Sequence, residues 1–134
     1  MSDIKSVFDT LNAIDVSKYV KSKGNMSYLP WAYAWGVLKK NYAEAEYKIY
    51  ENEKGMCYHS DGRTCWVKTS VTVLGLENIE YLPVMNFRNE SIQLLDVTSM
   101  DVNKSIQRSL TKAAARHGLG LKIYAGEDLP SENK

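Results

Sequence analysis

The spacing of apolar and polar positions changes period twice along the chain. Near the start, Ile4, Val7, Phe8 and Leu11 recur every three or four residues, which predicts a first short helix. Val16, Tyr19 and Val20 predict one or two further turns, ended by Lys23-Gly24-Asn25. The stretch SYLPWAYAWGVLKKNY predicts a longer helix, with Pro30 in a first turn that tolerates it. Its apolar face is Trp31, Ala34, Trp35, Leu38 and Tyr42, and both tryptophans read most simply as core residues.

The period then falls to two. Segments 47–53, 56–59, 64–74 and 79–85 are rich in Tyr, Val, Ile and Thr and read as strands. Ser60-Asp61-Gly62-Arg63 signals a hairpin, because Asp-Gly suits a type I′ turn. A two-residue loop there pairs Tyr58 with Cys65, Cys57 with Trp66 and Met56 with Val67. Continued without a bulge, that register pairs Tyr50 with Val73 and gives one apolar face. Residues 75–78 offer a second turn, and Pro83 places its strand at an edge or near its end.

The helical period returns in residues 101–124, DVNKSIQRSLTKAAARHGLGLKIY, which carry two opposed stripes. Val102, Ile106, Leu110 and Ala114 recur every four residues, with Ala113 and His117 beside them. Lys104, Arg108, Lys112 and Arg116 recur at the same spacing, two positions out of step. Four residues overshoot a helical turn by only about 40°, and a two-residue offset is roughly 200°. One face is therefore apolar and the other cationic. No acid lies between Asp101 and Glu127 to neutralise the cations. Two readings of that face stand: a solvated amphipathic helix, or a surface that meets a polyanion. Gly118 supplies a helix stop, and Gly120 lets the backbone turn or pass close to a neighbour.

These elements give an α+β fold: N-terminal helices, then a three- to four-stranded antiparallel β-meander packed on a long C-terminal helix. A length of 134 residues fits one domain, spanning 1–134, with a core of about 25–130 and a polar tail at 126–134. Net charge is only +1, so the basic stripe is a local concentration and not the mark of a basic protein. No apolar run approaches the roughly 20 residues needed to cross a bilayer, and no membrane partner is expected. MSDIKSVFDTL lacks the basic start and apolar block of a secretory signal. Two cysteines, Cys57 and Cys65, then fit reduced thiols in a cytoplasm.

Catalytic signals are sparse. No phosphate-loop motif occurs, and the Gly-Leu-Gly at 118–120 follows a helix where a dinucleotide fingerprint would precede one. Cys57, His59 and Cys65 cluster, but the hairpin register puts Cys65 on the face opposite the other two, against a shared metal. Cys57 facing Trp66 likewise disfavours a disulfide. His117 falls beside the apolar stripe and reads as a packed residue. No cofactor, metal or catalytic residue is expected. Further cations are Lys39 and Lys40 at the end of the Trp helix, Arg63 at the hairpin tip, and Lys68 and Arg88 flanking the sheet. Binding single strands asks for such charges beside aromatic platforms, which Tyr58 and Trp66 would offer.

YLPWAYAWGVLKKNY, the Tyr-rich strand region and DVNKSIQRSLTKAAARHGLGLKIYAGEDLP together resemble the phage single-strand annealing proteins of the Sak recombinase group. That group looks distantly related to the eukaryotic annealing mediator of the Rad group. The likeness rests on the Y-L-x-W-A-x-A-W helix and on the helix ending A-x-x-H-G-L-G-L-x-I-Y-A-G-E-D-L-P. It implies a sheet packed on a long helix, subunits assembled into rings or filaments, and DNA along a basic groove. It implies that Lys104, Arg108, Lys112 and Arg116 line that groove; Arg63 and Lys68 are added as candidate DNA-binding residues. The expected activity is single-stranded DNA binding and ATP-independent annealing in phage recombination, in the host bacterial cytoplasm. Expected partners are single-stranded DNA and further copies of the chain, with a single-strand binding protein or an exonuclease beside them. The competing reading is a non-enzymatic adaptor whose basic helix meets an acidic partner.

Overall fold

The computed structural model describes residues 6–23 and 26–124. In chain order they form α1 (Val7–Asn12), a 3-10 turn (Ser17–Tyr19), β1 (Lys21–Lys23), β2 (Met26–Tyr28) and α2 (Trp31–Asn41). The sheet strands follow as β3 (Glu46–Ile49), β4 (His59–Ser60), β5 (Cys65–Val73) and β6 (Leu76–Pro83). A 3-10 turn (Leu94–Asp96), α3 (Ser99–Arg116) and α4 (Leu121–Tyr124) complete the fold. The α+β class and the sheet packed on a long C-terminal helix are as the sequence predicts. Ile4 and the 126–134 tail lie outside the described residues.

β5 is the central strand. β6 pairs antiparallel along one side, from Trp66↔Pro83 to Val73↔Leu76, while β3 and β4 lie end to end along the other. Cys65, Val67, Thr69, Val71 and Val73 are all buried under the helices, as period-two alternation on a one-sided sheet requires. α3 packs across β5 and β6, and α2 packs on α3. Ile106, Leu110, Ala113 and Ala114 supply the apolar stripe in the core; Val102 is half-buried. Ala34 and Leu38 of α2 are buried, and Trp31 and Trp35 stack at 5.5 Å and meet the Tyr47 ring edge-on. His117 is buried, its Nε2 donating to the Val71 carbonyl at 2.7 Å.

Several local expectations are corrected. A two-residue Asp-Gly loop is replaced by a four-residue loop, 61–64, with Ser60 opposite Cys65 and His59 opposite Trp66. Side chains close it: Asp61 Oδ1 accepts the Arg63 and Thr64 amides, and Ser60 Oγ accepts the Gly62 amide. These Thr64 and Arg63 amide bonds hold the Asp61 carboxyl below its ordinary range. Cys57 therefore does not face Trp66; His59 does, and the two rings stack. The strand expected over 47–53 stops at Ile49. Asn52 Oδ1 accepts the Lys54 and Met56 amides and builds a turn instead.

From Ile49 to His59 the chain advances ten residues while β5 advances three, from Trp66 to Thr69. That odd excess flips the face of every β3 side chain relative to an unbulged hairpin. Tyr50 thus lies beside Lys68 on the open face, its amide bonded to the Lys68 carbonyl, and is not opposite Val73. The second turn is Leu74-Gly75, both at positive φ, so β6 begins at Leu76 where a turn was expected. Pro83 ends β6, an outer strand, as its missing N–H requires. Finally, the segment after Tyr19 is extended, as β1 pairs with β2; Gly24 and Asn25 lie outside the described residues.

Polar residues enter the helix–sheet seam. Ser109 Oγ sits 2.7 Å from Thr69 Oγ1 and donates to the Glu80 carbonyl. Buried hydroxyls satisfied in this way cost little, and their small size lets α3 approach the sheet closely. After α3, Gly118 adopts φ +116°, and a Cβ there would fall 2.7 Å from the Phe8 carbonyl oxygen. Glycine is thus required both by the turn and by the approach of α1.

Candidate nucleic-acid interface

α3 begins at a reciprocal cap: Thr98 Oγ1 accepts the Asp101 amide, and the Asp101 carboxylate accepts the Thr98 amide at 2.9 Å. From that fixed start the helix carries Lys104, Arg108 and Lys112 along a groove of about 600 Å³. The opposite wall comes from the link between β2 and α2, with Tyr28, Pro30 and Trp31. A turn at 86–90 forms one rim and presents Phe87, while Tyr124 of α4 closes one end. Tyr124 is held in place by its hydroxyl, which accepts the Leu29 amide at 3.3 Å, and the Lys112 ammonium lies 5.8 Å from its ring.

Among the described residues lining this groove, Asp101 is the sole acid, and its carboxylate is engaged in the helix cap. Three cations thus face a wall rich in rings. That combination holds an anion through charge and planar groups through stacking. No three His, Cys, Asp or Glu side chains converge as a metal-binding set among the described residues. Cys57 and Cys65 are both free thiols, and burial pushes the Cys65 thiol up.

The six candidate cations fall in four places. Lys104, Arg108 and Lys112 line the groove together. Arg116 is turned away and forms an ion pair with Glu80 of β6, whose side chain is only 10% exposed. Helix geometry accounts for the split, since three four-residue steps of about 40° rotate the stripe by about 120° between Lys104 and Arg116. Arg63 is exposed at the β4–β5 loop. Lys68 points to the sheet face opposite α3, its ammonium 4.4 Å from the Tyr50 ring and 5.7 Å from that of Tyr81. Lys48 lies 4.4 Å from the same Tyr50 ring, so this is a separate cation–aromatic cluster. Lys39 serves the fold, donating to the Ala43 and Ala45 carbonyls just after α2.

Sequence reading did not find the groove's aromatic wall. Tyr28, Phe87 and Tyr124 come from three separate segments, and no single-segment periodicity joins them. One usable signal was Asn-Phe-Arg-Asn at 86–89, where two turn-forming asparagines bracket an exposed ring. Trp66, offered as a platform, stacks on His59 on the open face, while Tyr58 packs half-buried against the core.

No helix among the described residues is long and apolar enough to cross a membrane. Neither a curated protein nor a solved structure matches the chain significantly. The family model described as Sak Single Strand Annealing Protein matches residues 5–134, nearly the whole sequence, and covers both helices and the sheet between them. The chain belongs to the Sak single-strand annealing protein family.

Proposed function

We propose that this protein binds single-stranded DNA along the α3 groove and promotes annealing of complementary strands without ATP, in phage recombination. The observation that carries this reading is the alignment of Lys104, Arg108 and Lys112 in one groove walled by aromatic rings. Cations at four-residue spacing rise about 6 Å per step along the helix and form a track for successive phosphates. Neutralising phosphates releases counterions and screens the repulsion between two strands. Stacking on ring faces is indifferent to base identity, so binding is nearly sequence-independent. Annealing of this kind needs no proton transfer or bond cleavage, and the reading assigns no catalytic residue and no cofactor.

Homo-oligomeric assembly, as a ring or filament, belongs to the proposal, because one domain of 134 residues covers only a short stretch of strand. A single-strand binding protein or an exonuclease would act beside it in the bacterial cytoplasm. Arg116, Arg63 and Lys68 are proposed as outlying contributors, with the three groove cations dominant. The test mixes complementary dye- and quencher-labelled oligonucleotides with the protein in the absence of nucleotide. Accelerated annealing, falling steeply as salt rises over roughly 50 to 300 mM, is the expected result. No acceleration at any salt, or a strict requirement for ATP, would overturn it, and tight binding to an acidic protein alone would favour the adaptor reading.

A further inference from the structure

Phe87 is 77% exposed, yet the turn that presents it is tightly built. Asn86 Oδ1 accepts the amides of Arg88 at 2.8 Å and Glu90 at 3.0 Å. Its side-chain amide donates to Glu90 Oε1, and its backbone amide donates to the Glu90 carbonyl at 2.9 Å. Asn89 takes φ +63°, a left-handed conformation that asparagine tolerates, and its amide returns to the Asn86 carbonyl. A Met85↔Ser91 bridge and the bond from the Ile92 amide to the carbonyl of buried Val84 root the turn just after β6. Met85 and Ile92 pack against the core on either side, so the ring between them is held out by its backbone.

An isolated exposed ring is ordinary on a protein surface. This one differs in its surroundings. It lines the same groove as Lys104, Arg108 and Lys112, and the Arg88 guanidinium lies 5.5 Å from its centroid. Charge on the α3 side and a fixed ring on the rim match the two chemistries of a nucleotide unit, phosphate on one side and base on the other. A rigid turn also keeps the ordering cost of stacking low, since the platform is set before the ligand arrives.

We infer that Phe87 is a base-stacking platform at the rim of the groove, with Arg88 beside it, and that it takes one unpaired base of a single strand whose phosphates lie along α3. This rests on the proposed binding mode and adds a residue whose role is independent of charge. It predicts that base contact and phosphate contact separate experimentally.

The test is a titration of the full chain and its Phe87→Ala, Phe87→Leu and Phe87→Tyr variants with a fluorescent single-stranded oligonucleotide. A parallel titration uses an abasic oligonucleotide of equal length. Ala and Leu are expected to weaken binding to the normal strand roughly ten-fold, with the salt slope unchanged, while Tyr restores it. All four proteins should bind the abasic strand alike. Leu keeps the apolar bulk, so its loss together with rescue by Tyr excludes a packing role. Unchanged binding by the Ala variant, or an equal loss on the abasic strand, would overturn the inference. A change of oligomer size in place of affinity would also overturn it, and would assign the ring to contact between copies. The underlying groove reading fails separately, if Lys104, Arg108 and Lys112 together prove dispensable.

Discussion

Two concavities flank α3 and are nearly equal in size, about 600 Å³ on the cationic side and about 560 Å³ on the other. Asn103 borders both. The second is lined by Met56, Tyr58, Leu94, Val97, Val102 and Ile106, and its described lining includes no charged residue. One helix therefore writes two environments, because its two stripes stand roughly 200° apart. Volume does not distinguish them; side-chain chemistry does. The apolar side continues the core and serves stability, whereas the cationic side gathers Lys104, Arg108 and Lys112 along one groove. Arg116 marks the boundary: at the far end of the same stripe, its charge is already committed to Glu80.

Substitutions on the two sides should separate stability from binding. The largest stability effect belongs to the apolar side. Ile106 is buried, and Ile106→Ala should cost about 2–5 kcal/mol in chemical denaturation, with the affinity of the folded fraction unchanged. Arg116→Ala should have a smaller effect, about 1–3 kcal/mol, because it removes the cation that faces a mostly buried carboxylate. Its salt slope for strand binding should change less than that of any groove cation. Smallest is Lys68→Ala, which removes cation–π contacts worth about 0.5–1 kcal/mol and should leave strand affinity near that of the parent. A Lys68 variant with the largest binding defect would move the DNA track to the open face of the sheet and break the comparison.

Much of this architecture was legible in the sequence where one segment carried its own signal. The α3 stripes, the Trp helix and the buried alternation of β5 all rest on local periodicity, and each stands in the fold. Errors arose where side chains reprogrammed the backbone. Asp61 and Ser60 closed a longer loop than Asp-Gly alone implies, and Asn52 ended β3 early. Leu74 adopted a left-handed φ that its type rarely takes. Each is a local hydrogen-bonding or hairpin solution that composition does not reveal. The cations of the groove were readable because helical spacing aligns them. The rings opposite were not, since Tyr28, Phe87 and Tyr124 meet only through tertiary packing. The parting of Arg116 from its neighbours follows from the 3.6-residue period but needed Glu80 in place to be seen.

The central claim is that three α3 cations neutralise phosphate in one groove. Its most direct test compares the salt dependence of single-strand affinity for the parent chain and for Lys104→Ala/Arg108→Ala/Lys112→Ala. Alanine preserves helix propensity, and a thermal melt checks the fold. The account predicts weaker binding at low salt and a log–log slope shallower by about two units, roughly 0.7 for each phosphate that is no longer neutralised. A slope and affinity equal to the parent's, in a folded variant, would contradict it.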